Sequence, residues 1–157
     1  MSANIQYAGG PFAVAFSHQK EKATDAQTAA KFTQLNGSWD FRVVKLLAAY
    51  GQVKNGSTGL FLASHATVAV NKSQEYQIGV DVPLGSALTV SGGISRAKLT
   101  LATGGDIKST GVGLAAKYDL SKRTFLYTGL QLAKNAAAVG NGEIKTDTFA
   151  VGVQHKF

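Results

Sequence analysis

Apolar and polar residues alternate along most of the chain with a period of two, the repeat of a strand that is dry on one face and wet on the other. SANIQYA sets Ile5 and Tyr7 against Asn4 and Gln6, and after GGP the run FAVAFSHQ sets Phe12, Val14 and Phe16 against Ala13, Ala15 and Ser17. FTQLNGSWDF places Leu35, Trp39 and Phe41 opposite Gln34, Asn36, Ser38 and Asp40, and KLLAAYGQVK places Leu46, Ala48 and Tyr50 opposite Lys45. EYQIGVDV, ALTVSGGISRAKL, STGVGLAAKYDL, FLYTGLQLAK and TFAVGVQHKF continue the series. The pattern predicts about nine strands of roughly 8 to 12 residues, long enough for a tilted strand to cross a bilayer.

The predicted connections alternate in length. GGP, RVV, PLGS and DLSKRT are short, whereas the segments between them run to about ten, twelve or twenty residues, as on the two rims of an outer-membrane barrel. The second face is small and polar rather than heavily charged, which suits a wet interior better than the solvent side of a soluble sandwich. Aromatic residues on the apolar face cluster toward strand ends: Tyr7, Trp39, Phe41, Tyr50, Tyr76, Tyr118 and Phe157. An amphipathic ring is favoured at headgroup level, so these residues are expected to form lipid-facing girdles.

Composition removes other classes. The chain has no cysteine, so disulfides, thiolate metal sites and cysteine nucleophiles are excluded. Charged residues make up only 16% of the 157 residues, below the roughly 25% of soluble domains. No apolar run approaches the ~18 residues of a helical membrane span. The net charge of +7 raises the question of nucleic acid, but the basic residues are scattered singly and no RNA-recognition signature accompanies them, so no nucleic-acid partner is expected. His18, His65 and His155 lack the close second ligand of a zinc site, and no G-x-S-x-G elbow fixes a serine nucleophile. Neither an enzyme, nor a metal, nor a cofactor is expected. The start, MSANIQYAGG, has neither the basic beginning nor the apolar core of a signal peptide.

YDLSKRTFLYTGLQLAKN, followed by the terminal VGVQHKF, resembles the last hairpin and C-terminal strand of Gram-negative general porins of the beta-proteobacterial type, and GSWDFRVVKLLAAYGQ resembles a mid-barrel hairpin of that family. The resemblance implies an all-β, antiparallel transmembrane barrel. The chain would supply about nine of sixteen strands as a meander with short periplasmic turns and long extracellular loops. It implies an outer-membrane location, homotrimers, and passive diffusion of small hydrophilic solutes and ions through a water-filled channel. It also implies that the whole chain, 1–157, is one partial barrel domain of a truncated porin, without the N-terminal strands and the constriction loop. Phe157 then matches the terminal aromatic read by the outer-membrane assembly machinery.

Strand parity predicts that Lys45, Lys117, Lys156, Arg42 and Arg123 point into the lumen, with Asp40, Asp81 and Asp119 as acidic counterparts and Lys45 and Lys117 farthest from strand ends. Inward cations would favour anions. Two other readings stay open from the residues alone: a non-conducting anchor or adhesin barrel, and a soluble ligand-binding β-barrel.

Overall fold

Among the described residues every strand pairs antiparallel with its sequence neighbour, so nine strands form one meander sheet in the order β1 to β9. The structure is a computed structural model, and it describes residues 1–22, 28–59, 67–136 and 142–157. The strands are β1 (Ser2–Gly9), β2 (Phe12–Glu21), β3 (Ala30–Asp40), β4 (Lys45–Gly59), β5 (Thr67–Leu84), β6 (Leu88–Leu101), β7 (Asp106–Asp119), β8 (Thr124–Ala136) and β9 (Glu143–His155). β1 and β9 do not touch, so the sheet is open.

The strands are longer than the alternation predicts and the connections correspondingly shorter. One rim carries the turns 10–11, 41–44, 85–87 and 120–123; the other carries 22–29, 60–66, 102–105 and 137–142. The difference between rims survives, but the expected loop of about a dozen residues after β6 is a tight turn. Gly104 and Gly105, both at φ +90°, make that turn possible, because a Cβ disfavours this backbone region. The Leu101 N–H donates to the Gly105 carbonyl at 3.0 Å and closes the hairpin. Likewise most of the polar stretch 55–74, expected as a loop, is strand in β4 and β5: ladder pairing satisfies its backbone groups whether or not its side chains alternate. His65 lies outside the described residues.

The apolar side chains do not gather into a core. Ile78 is 61% exposed, Phe149 71% and Val151 73%, all on the face that carries Leu35, Trp39, Leu114 and Leu130. Among the described residues, the buried apolar cluster is small: Val70, Leu99, Leu101 and Ile107, packed by Val53 and Ala97 at the longer-connection end of the opposite face. A register shift between Val70 and Lys72 turns Val70 into that cluster, as a β-bulge does by adding one residue to one strand.

Small residues let the sheet curve around this opposite face. Gly79, Gly93 and Gly113 are consecutive cross-strand partners between Leu47 and Gln131. A Cβ on Gly93 would stand 3.1 Å from the Ile78 carbonyl oxygen and 3.5 Å from the Gly79 Cα, both backbone atoms that cannot swing aside. Gly93→Val is therefore expected to destabilise the barrel by about 1–3 kcal/mol. Gly113→Ala, whose nearest contact would be 3.9 Å, stays within about 0.5 kcal/mol. Urea midpoints in the same detergent check the pair, and equal midpoints would refute the close approach.

Candidate functional site

Direct cross-strand partners share a face, so register assigns every strand residue to one of two surfaces. One surface is defined by rows such as Asn36–Ala49–Gln77–Ser95–Gly111–Ala133 and Asp81–Ser91–Ala115–Gly129–Ala150. Strands β3 to β8 bend around it, leaving an open hollow of about 590 Å³ lined by Asn36, Gln77, Asp81, Ser95 and Gln131 among others. Its side chains are short and polar, a surface that water wets and that leaves room for passage. The reverse surface is built from rows such as Phe12–Trp39–Leu46–Val80 and Ile78–Ile94–Val112–Leu132. It exposes apolar side chains continuously, far beyond the few hundred Å² that a soluble monomer leaves open.

Lys45, Lys117 and Asp81 lie on the concave surface, as parity predicts. The two lysines are not mid-strand, however. Lys45 opens β4, and Lys117 stands two residues before the end of β7, so both sit at the short-turn rim. Lys45 is the cross-strand partner of Asp40 on one side and of Asp81 on the other. Asp81 accepts a hydrogen bond from the Ser91 hydroxyl at 2.6 Å. Lys117 pairs with Asp119 at 3.1 Å and lies 5.2 Å from the centre of the Phe125 ring, so its ammonium is tied to its own strand wall.

Arg42, Arg123 and Lys156 lie outside the strands. Arg42 lies in the turn 41–44 at φ +70°, with its N–H donating to the Asp40 carboxylate at 2.7 Å. Arg123 lies in the turn 120–123, and Lys156 follows the last residue of β9. Parity holds only while the backbone stays extended, so it assigns no face to Arg42, whereas the Lys156 N–H donates to the Arg123 carbonyl at 2.9 Å and continues the β8–β9 ladder by one step. Among the described strand residues, register places Asp40, Asp81 and Asp119 on the concave surface, and with them Glu21 and Glu75, beside Lys45 and Lys117.

The aromatic residues divide between two levels of the apolar surface. Tyr7, Phe12, Trp39 and Phe41 form a chain of ring contacts at the short-turn rim, with centroids 6.4, 5.8 and 5.9 Å apart. Tyr118 and Phe157 belong to the same rim farther round, where the Phe157 ring meets His155 edge-on at 5.0 Å. Tyr50 and Tyr76 pair at 5.1 Å near the middle of β4 and β5, not at a strand end as the sequence suggests. Phe12 and Phe16 belong to these levels as well; sequence reading put them on the apolar face but not in the girdles, because their place along the barrel depends on neighbouring strands.

A family model described as Gram-negative porin matches residues 1–138. The chain belongs to the Gram-negative porin family. An outer membrane porin protein of Bordetella pertussis is 32% identical over 179 residues, covering all of this chain and 46% of the relative. Among solved structures, OmpT of Vibrio cholerae, an outer membrane protein folded in vitro and solved in trimer form, superposes with a TM-score of 0.75 at 16% identity. The match covers 99% of this chain and 49% of that one. The anion-selective porin of Comamonas acidovorans gives a TM-score of 0.68 at 24% identity, over 98% and 48% of the two chains. This porin chain thus spans about half the length of the relatives it matches.

Proposed function

We propose that the chain forms part of the wall of an outer-membrane channel through which small hydrophilic solutes and ions diffuse passively. The observation that carries this reading is the pairing of two surfaces on the same strands: apolar and exposed on one side, small and polar around an open hollow on the other. In lipid the first surface is solvated by acyl chains and the second by water. The work is physical passage, and no bond is made or broken. The 157 residues act as one barrel domain together with the strands that complete it, in a homotrimer of the kind the family forms. Phe157, exposed at the short-turn rim, is the residue the assembly machinery would read.

Lys45, Lys117 and Asp81 bias ion passage at the short-turn mouth, and the acidic excess of this wall offsets its two lysines. Selectivity is therefore weak. In the completed barrel, Lys45→Gln with Lys117→Gln shifts the zero-current potential across a salt gradient toward cations, and Asp81→Asn shifts it toward anions. Water-exposed charges are worth under ~1 kcal/mol each, so the permeability ratio changes by less than about fivefold for the single aspartate variant and by less than about 30-fold for the double lysine variant. Shifts of the same sign for both variants would remove these residues from the wall, and a barrel impermeable to small sugars in liposome swelling would overturn the channel reading.

A further inference from the structure

Two aromatic side chains stand at the short-turn end of the wet face. Phe125 and Tyr127 flank Leu126 on β8, and register sets them in the rows Thr89–Lys117–Tyr127–Gly152 and Asp119–Phe125–Gln154 of the concave surface. Both rows lie within a few residues of the turn 120–123. On this face lipid reaches neither ring, so a girdle role does not account for them. Nor does a packed core, because Tyr127 is 43% exposed.

The Tyr127 ring leans across the wall onto the next strand. A Cβ on its partner Gly152 would stand 2.8 Å from the ring Cε1 and closer still to Cζ and the hydroxyl, so the ring uses space that only a glycine leaves. One side of the ring is thereby backed by the β9 backbone, and the other is open to the lumen. The Phe125 ring stands beside it, with centroids 6.3 Å apart and planes inclined by 55°. Over Phe125 the Lys117 ammonium lies 5.2 Å from the ring centre and 3.1 Å from an Asp119 carboxylate oxygen. An ammonium has three N–H donors, and the contact with Asp119 uses one of them. Asp119 in turn has a second oxygen to accept with, and both side chains are partly exposed.

The patch therefore offers a two-ring floor with a donor and an acceptor at its edge. Its charges balance, so an ionic solute is drawn by one group and repelled by the other. A neutral solute that both donates and accepts hydrogen bonds gains from the two together. An aromatic face is the negative part of the ring's quadrupole, so the side laid on it must carry C–H bonds, whose hydrogens are weakly positive. A pyranose meets both conditions, with axial C–H bonds on a flat face and hydroxyls around the ring. Apolar rings with a few placed polar groups are the usual lining of a small-molecule site.

We propose that Phe125, Tyr127, Lys117 and Asp119 form a sugar subsite at the short-turn mouth, which holds a pyranose by its C–H face as it crosses the channel. The subsite rests on the channel reading above and names a solute class for it. The test is NMR saturation transfer from the completed barrel, in a zwitterionic detergent without sugar headgroups, to methyl β-D-glucopyranoside. Transfer is expected to be strongest at the axial ring protons. Phe125→Ala with Tyr127→Ala weakens binding about tenfold, the share of two ring contacts. Gly152→Ala keeps both rings but turns Tyr127 off the wall, and it weakens binding about threefold.

Tyr118→Ala removes a ring from the lipid side of the same rim and leaves binding unchanged. A loss there as large as in the double variant would trace the effect to the fold and overturn the proposal. Transfer that survives the loss of both rings would also overturn it. So would displacement of the sugar by an equal concentration of benzoate, which would make an aromatic anion the ligand. Liposome swelling separates the two readings. A barrel that passes the sugar but shows no transfer overturns the subsite alone, whereas a barrel that excludes small sugars overturns the channel reading as well.

Discussion

The 157-residue chain, refolded alone into a planar lipid bilayer, gives no steady channel current. β1 and β9 are the edges of the sheet, and each leaves about half of its N–H and C=O groups without a ladder partner. Within the hydrocarbon each such group costs several kcal/mol, so two open edges cost tens of kcal/mol in total. The edges cannot repair one another. Eight successive antiparallel pairings make β1 and β9 run in the same direction, so closing one on the other would demand a parallel pair in an otherwise antiparallel barrel. Two copies inserted in the same orientation meet the same obstacle. Closure requires an odd number of further strands, which makes the total even, and the coverage of about half of each relative leaves room for them. Single-channel recording is the check: irregular or absent openings are expected, and reproducible porin-sized steps from the chain alone would refute it.

Leu114→Arg is expected to destabilise the completed barrel by about 2–4 kcal/mol, and Ala115→Arg by no more than about 1 kcal/mol. The two positions are adjacent in β7 and both water-accessible in the isolated sheet, where Leu114 is 60% exposed. They differ in what covers them once the sheet is in a bilayer. Leu114 stands in the row Val80–Gly92–Leu114–Leu130–Phe149, between Lys108 and Tyr118 on the same face of β7, well inside the apolar surface. An arginine there must leave water or thin the bilayer around it. Ala115 stands between Ser91 and Gly129 on the concave surface, where a guanidinium meets water. Guanidinium titration of the vesicle-reconstituted barrel, followed by fluorescence of its single tryptophan, Trp39, measures both. Equal losses for the two would mean that both surfaces are dry or both wet, and the assignment of faces would fail.

Nine strands, their face alternation and the position of most girdle aromatics were legible in the sequence, because period-two patterning acts within each strand and survives any arrangement of its neighbours. Strand ends were less legible. β4 to Gly59 and β5 from Thr67 continue through stretches without clean alternation, and their ladder bonds, which need only backbone, extend them. Gly104-Gly105 carried a hairpin signal that the polar residues around it concealed. For the same reason register gives a face to Lys45, Asp81 and Lys117, inside strands, and parity alone gives none to Arg42, in a turn with positive φ.

The order of strands, the two surfaces and the membership of a porin barrel follow from local chemistry: side chains alternate, turn residues recur, and each strand pairs with the next. What sits beside what across the strands does not follow, because a shift of one or two residues in any ladder changes every cross-strand neighbour without altering a single strand's pattern. Lys20, Lys31, Lys54 and Lys72 look like isolated charges along the chain. Pairing in this register makes them a row and puts the row on the apolar surface, away from the hollow, whose one charged lining residue is Asp81.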